Sequence, residues 1–159
     1  MIIILRYVII IIIVAARVRA AWMKFRELGG ILFTRGASLR MKGVVYKACV
    51  RSVLTYGAET WAMIARVFQR LRVTERRMLR IICRVTLKDM VESIVIASRV
   101  NDLEEHLIQK RMRWFGHIAR RDEEVEIKKV FELKIEGRRE RGRPVKRWID
   151  MVEEDMKES

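Results

Sequence analysis

A chain of 159 residues is long enough for one domain of ordinary size and too short to house a large multi-domain catalyst. Its 34 Lys and Arg against 20 Asp and Glu give a net charge of +14, and 51% of its residues are hydrophobic. That balance excludes a disordered tail, since a core can be buried, and points to a polyanionic partner, either nucleic acid or an anionic membrane surface.

One Pro and eight Gly leave little flexible linker and no fibrous repeat. The two cysteines, Cys49 and Cys83, stand in no metal-ligand spacing and support neither a disulfide framework nor a zinc site. Residues 1–100 carry 19 Lys and Arg but only 5 acids (Glu27, Glu59, Glu75, Asp89 and Glu92), whereas residues 101–159 carry 15 of each. The whole net charge therefore lies in the first hundred residues. The same scarcity of acids argues against metal-dependent phosphoryl transfer, which needs clustered carboxylates to hold its cations.

The chain begins with Met1 to Ala16, apolar except for Arg6 and centred on Val8-Ile9-Ile10-Ile11-Ile12-Ile13-Val14. Its uninterrupted part, Tyr7 to Ala16, is half of the roughly 20 residues that a membrane-spanning helix needs. A signal peptide fits only in part, because Arg6 lies inside the apolar stretch and Arg17 and Arg19 follow it. Five consecutive isoleucines favour a strand, since β-branched side chains are stiff and suit a pleated surface. A buried strand or helix start, a membrane or signal segment, and an accidental N-terminus all remain open here.

Val18, Trp22, Phe25 and Leu28 recur at helical spacing and predict a helix from Ala15 to Leu28, ended by Gly29-Gly30. Ser38 is placed to cap a second helix running from Leu39 to about Tyr56, with Gly57 at its end. A third helix is predicted from about Ala62 to Arg84. At about 100° per residue, Arg66, Arg70, Arg77, Arg80 and Arg84 fall within an arc of about 80°, opposite Phe68, Leu71, Met78, Leu79 and Ile82. A solvated surface stripe would also give this pattern, but stacked like charges repel, and Glu75, the acid of this helix, projects to the apolar side. The row therefore reads as a surface for a polyanion.

A short segment from Thr86 to Ser98 precedes a helix from about Asn101 to Arg120, capped by Asn101 or Asp102, with Glu104 and Glu105 suiting its first turn. Leu103, Leu107, Trp114 and Ile118 form its apolar face, with Ile108 and Phe115 beside it. His106 and His117 have no carboxylate or second ligand pair at metal spacing, so they read as satisfied or exposed histidines. Residues Asp122 to Ile135 fit a helix or a strand pair. The stretch from Glu136 to Pro144 is a basic loop that can bury nothing; its Arg138, Arg139, Arg141 and Arg143, with Lys146 and Arg147 beyond, are further candidates for phosphate contact. Pro144 opens a final helix whose face is Val145, Trp148, Ile149, Val152 and Met156, and the acids Glu153, Glu154, Asp155 and Glu158 at its negative end predict fraying. The expected fold is mostly α, a small bundle of about five to six helices behind a hydrophobic N-terminal segment, in regions 1–14, 15–100, 101–137 and 138–159.

Five blocks in order carry a resemblance: Lys42-Gly43-Val44-Val45-Tyr46-Lys47; Ser52-Val53-Leu54-Thr55-Tyr56-Gly57-Ala58-Glu59-Thr60-Trp61; Arg76-Arg77-Met78-Leu79-Arg80; Arg113-Trp114-Phe115-Gly116-His117; and Arg141-Gly142-Arg143-Pro144 ahead of Trp148. Together, from about Ala16 onward, they resemble the C-terminal part of non-LTR retrotransposon reverse transcriptases. The resemblance implies the helical thumb and the start of the segment after it, which hold an RNA template and the growing DNA. The Tyr-x-Asp-Asp motif and upstream Asp of the family's palm are absent, as is its endonuclease domain. The chain is therefore expected to be a truncated copy read from a new start, with no enzymatic activity and no cofactor or metal, binding nucleic acid through its backbone in the nucleus or cytoplasm. Trp114 and Phe115 read as core rather than as a base-stacking pair, and Tyr56, Glu59 and Trp61 as a packing corner. Arg141-Gly142-Arg143-Pro144 also resembles the core of an AT-hook for narrow minor grooves, although Glu140 and Val145 replace the usual flanks, and a plain solvated loop fits as well. The alternative function is a small basic membrane-associated protein anchored by Met1 to Ala16, with Arg17 and Arg19 on the cytoplasmic side.

Overall fold

The computed structural model describes residues 2–61, 64–86, 100–122, 126, 128 and 147–158. Among these the protein is helical, without a strand. The isoleucine run, which side-chain stiffness alone assigns to a strand, belongs to a 26-residue helix, α1, Ile2–Glu27. A lone strand would leave its backbone groups unpaired, whereas a helix pairs them internally at a propensity cost of only tenths of a kcal/mol per isoleucine. The helix thus starts well before Ala15, and Val14, Ala21 and Phe25 line its buried side with Ile10, Ile13, Val18 and Trp22 packed against the core.

Gly29 and Gly30 do not close α1 in a left-handed turn. They open a single helical turn, α2, Gly29–Leu32, and a Cβ on Gly29 would lie 2.9 Å from the Phe33 ring. The missing side chain lets Phe33 fold back to meet Phe25 edge-on at 5.3 Å, and Phe25 meets Trp22 in the same way at 5.5 Å.

Ser38 caps α3, Leu39–Val45, by accepting from the Met41 amide at 3.2 Å, as its spacing predicts. The helix then widens into a π-helical stretch, Tyr46–Arg51, and returns to α in α4, Ser52–Leu54. In an α-helix, residues five apart lie about 140° apart, at about 100° each. The i→i+5 pattern of the π stretch instead stacks Arg51 one turn above Tyr46, so both reach the same neighbour on α5. Gly57, at φ 78°, ends this run in the left-handed region that glycine tolerates. A 3₁₀ turn, Ala58–Thr60, follows.

Helix α5, Ala65–Cys83, buries Val67, Leu71, Thr74, Glu75, Met78, Leu79 and Ile82. It ends on Arg84, whose φ of 58° puts a non-glycine residue in the left-handed cap position, and the Val85 amide closes the turn on the Arg80 carbonyl at 3.1 Å. Asp102 caps α6, Leu103–Ala119, by accepting from the Glu104 amide at 2.8 Å. The last helix, α7, Trp148–Glu158, packs on α6, which also leans on the 3₁₀ turn. The main core gathers Phe25, Leu32, Tyr46, Val50, Leu54, Leu71, Met78, Ile82 and Leu103 from α1 to α6. Both cysteines are half-buried and free. The expectations for the segments 87–98, 123–125 and 129–146, including a helix start at Pro144, lie outside the described residues.

Candidate nucleic-acid interface

Two buried ionic clusters fix the helices that carry the basic surface. In the first, Arg51 is 1% exposed and grips Glu75 in a fork: Nε donates to Oε1 at 2.7 Å and Nη2 to Oε2 at 3.0 Å. The remaining face of the guanidinium holds the entry to α6, donating to Asn101 Oδ1 at 2.7 Å and to its carbonyl at 2.6 Å. The Tyr46 hydroxyl donates to Glu75 Oε1 at 3.3 Å, and burial, then the Glu75 carboxylate, push its pKa well above the ordinary phenol value. The sequence places Glu75 on the apolar side, as observed. It does not single out Arg51, although a carboxylate facing a core requires a cation from the opposing helix.

The second cluster joins α6 to the corner after Gly57 and to α7. Lys110 Nζ lies 2.9 Å from Glu59 Oε2 and donates to the Thr55 carbonyl at 2.9 Å, while Trp148 Nε1 donates to the Glu59 carbonyl at 2.6 Å. Arg111 Nε donates to Asp155 on α7, both side chains being largely buried. The predicted fraying of the acidic end of α7 is thereby corrected: Asp155 is a buried anchor, because Arg111 outweighs the unfavourable helix dipole. The buried face of α7 is Met151, Val152 and Asp155, while Met156 is exposed. The corner of Tyr56, Glu59 and Trp61 divides likewise. Trp61 is buried and Glu59 is bridged, but Tyr56 is 64% exposed with the Arg17 guanidinium 4.4 Å above its ring.

With Glu75 turned inward to Arg51, the outer side of α5 is left to its arginines. Arg66, Arg70, Arg77 and Arg84 are exposed, as the helical arc predicts, and Arg80 is half-buried with its Nε enclosed and without a hydrogen-bond partner. Arg77 stands over the Trp22 ring at 5.6 Å, which ties the row to α1. On α1, Arg19 and Arg26 are exposed, within about 60° of Trp22 at 100° per residue, so the basic surface extends across two helices. Arg84 Nη2 donates to the Phe33 carbonyl at 2.7 Å, fixing the far end of the row. Exposed Val73 and Ile81 lie on the same helix.

Of the second group of candidates, Arg138, Arg139, Arg141, Arg143 and Lys146 lie outside the described residues. Arg147 is exposed and tied to the first turn of α7 by Asp150: its amide donates to Asp150 Oδ2 at 2.7 Å, and its Nη2 to Oδ1 at 2.8 Å. His106 is half-buried 3.5 Å from Thr55 Oγ1, and burial, with Arg51, Lys110 and Arg113 nearby, lowers its pKa to about 4. Among the described residues no group of three or more His, Cys, Asp or Glu is arranged to hold a metal ion. No helix of the described residues is long and apolar enough to cross a membrane.

The chain matches no protein-family model and no solved structure. It is 26% identical over 148 residues to an uncharacterized transposon-derived protein of Caenorhabditis elegans, an alignment that takes in 88% of this chain and 52% of that protein. The chain therefore spans about half the length of the relative that it matches. The match supports a transposon origin for the chain.

Proposed function

We propose that this chain is the thumb-like region of a non-LTR retrotransposon reverse transcriptase, acting as a nucleic-acid grip without catalysis of its own. The observation that carries the reading is the exposed row Arg66, Arg70, Arg77 and Arg84 on a helix whose one acid is buried against Arg51. Cations at this spacing meet successive phosphates and position a duplex without reading its sequence. The five sequence blocks and the transposon-derived relative support the assignment to such an element. Catalysis would belong to a palm carrying the Tyr-x-Asp-Asp carboxylates, which this sequence lacks, so purified protein with Mg²⁺ or Mn²⁺ is expected to add no templated nucleotide above a buffer control.

The test is the salt dependence of binding. Each neutralised phosphate adds roughly 0.9 to the slope of log K against log salt on duplex DNA and roughly 0.7 on single strands. Arg66, Arg70 and Arg77 are the residues to substitute, since all three are exposed, whereas Arg80 is half-buried with its Nε enclosed. Changing the three to Gln is expected to lower the slope by about 2 to 3, to weaken all sequences alike and to leave the far-ultraviolet circular dichroism intact. An unchanged slope would refute this surface as the contact.

A further inference from the structure

The C-terminal half of α6 carries a second arrangement with different chemistry. The Trp114 and His117 rings stack at 5.6 Å between centroids with 24° between their planes, and His117 is exposed while Trp114 is half-buried. Trp114 is thus overlaid by an outward-facing aromatic ring. Arg121 Nη2 lies 3.1 Å from His117 Nε2. A guanidinium has only hydrogens to offer, so Nε2 accepts and the ring is held in one orientation. Gly116 leaves room for Arg120, whose Nη1 would stand 3.2 Å from a Cβ at that position. Arg113 and His117 lie about 40° apart on α6 at about 100° per residue, Arg120 and Arg121 follow its last turn, and all four are exposed. The strip therefore combines an oriented, solvent-facing aromatic stack with three guanidiniums.

That combination differs from the row on α5, where the neighbouring ring, Trp22, is covered by the Arg77 guanidinium. A duplex hides the faces of its bases and presents only phosphates and edges to such a strip. An unpaired nucleotide presents both a free π-face and a phosphate. We infer that the His117–Trp114 stack, flanked by Arg113, Arg120 and Arg121, is a platform on which one unpaired base of a single-stranded nucleic acid stacks, its phosphates meeting the arginines. The inference rests on the nucleic-acid reading above and extends it from duplex backbone to single strand.

The experiment measures anisotropy of three fluorescein-labelled probes titrated with the full chain: a short oligothymidylate, a strand of the same length made of abasic sites, and a duplex. His117→Ala is expected to weaken oligothymidylate binding about tenfold, in the range for one stacked base, and to leave the abasic strand, the duplex and the salt slope unchanged. His117→Trp is expected to restore the lost affinity, since it replaces one π-face with another. Equal loss on the abasic strand would mean that His117 serves the backbone, and unchanged oligothymidylate binding would mean that no base rests there. Either result overturns the platform while leaving the α5 grip standing. Failure of the unaltered chain to bind any of the three probes overturns both.

Discussion

Arg51→Met tests how strongly the buried cluster holds the bundle together. The substitution keeps an unbranched side chain of similar reach but removes the partner of a carboxylate that is only 4% exposed. Glu75 would retain the Tyr46 hydroxyl at 3.3 Å, and Asn101 would lose the donor to both its carboxamide oxygen and its carbonyl. Breaking one side of a buried ion pair costs about 3 to 5 kcal/mol, a fifth or more of the roughly 5 to 15 kcal/mol that holds a domain folded. For a chain of this size the melting temperature is expected to fall by about 10 °C. Replacing both partners, Arg51→Met with Glu75→Leu, removes the uncompensated charge and is expected to recover most of the loss, because apolar replacement of a buried pair is often near neutral. Urea unfolding followed by circular dichroism gives the double-mutant cycle directly. A loss below about 1 kcal/mol for Arg51→Met, or a double variant no better than the sum of the single ones, would refute the reasoning.

Removing residues 1–14 deletes Val14, which is 1% exposed, together with Ile10 and Ile13 from the core margin. The shortened chain is expected to lose roughly 3 kcal/mol or more of stability in urea unfolding, at about 1.5 to 3 kcal/mol for a fully buried aliphatic side chain, so a midpoint equal to that of the full chain would show the segment to be dispensable. His106 gives a pH dependence of defined sign. Its folded pKa, about 4, lies below the ordinary 6.5, so the unfolded chain binds more protons between those values and stability falls as pH drops from 6.5 toward 4. Comparing urea midpoints at pH 7.5 and pH 4.5, His106→Gln is expected to lose less than the unaltered chain, and equal losses would show that this ring does not drive the acid sensitivity.

The parts of the fold governed by local rules were legible in the sequence. The Ser38 and Asp102 caps, the stop at Gly57 and the arginine arc on α5 each depend on residues within a turn or two of one another. What escaped was set by tertiary partners. Arg51 and Asp155 are charged residues at positions that burial makes apolar, and only the meeting of the π-helical stretch with α5, and of α6 with α7, supplies their counter-charges. Asp155 falls three and four residues after Val152 and Met151, a helical spacing that marks it for the buried face even though the helix dipole disfavours an acid there. The isoleucine run misled for a related reason: stiffness argues for a strand, yet a strand needs a neighbour to pair with, and packing of Val14 beneath an N-terminal helix satisfies the same residues alone. In the aromatic block of α6, helical periodicity does not distinguish a ring at the margin of the core from one that shares its face with an exposed histidine.

The widened turn from Tyr46 to Arg51 also makes this helix unusually indifferent to its own length. Elsewhere in a core helix, loss of one residue rotates everything beyond it by about 100° and turns buried side chains outward. Here one residue is already surplus to the α-helical repeat. Deleting an exposed member of the stretch, such as Ala48, would bring Tyr46 and Arg51 to four residues apart, about 40° in an ordinary α-helix, and both would still face Glu75. The helix that anchors the bundle can therefore shed a codon at this point and keep its phase, so a change of length here need not disrupt the buried cluster beneath its basic surface.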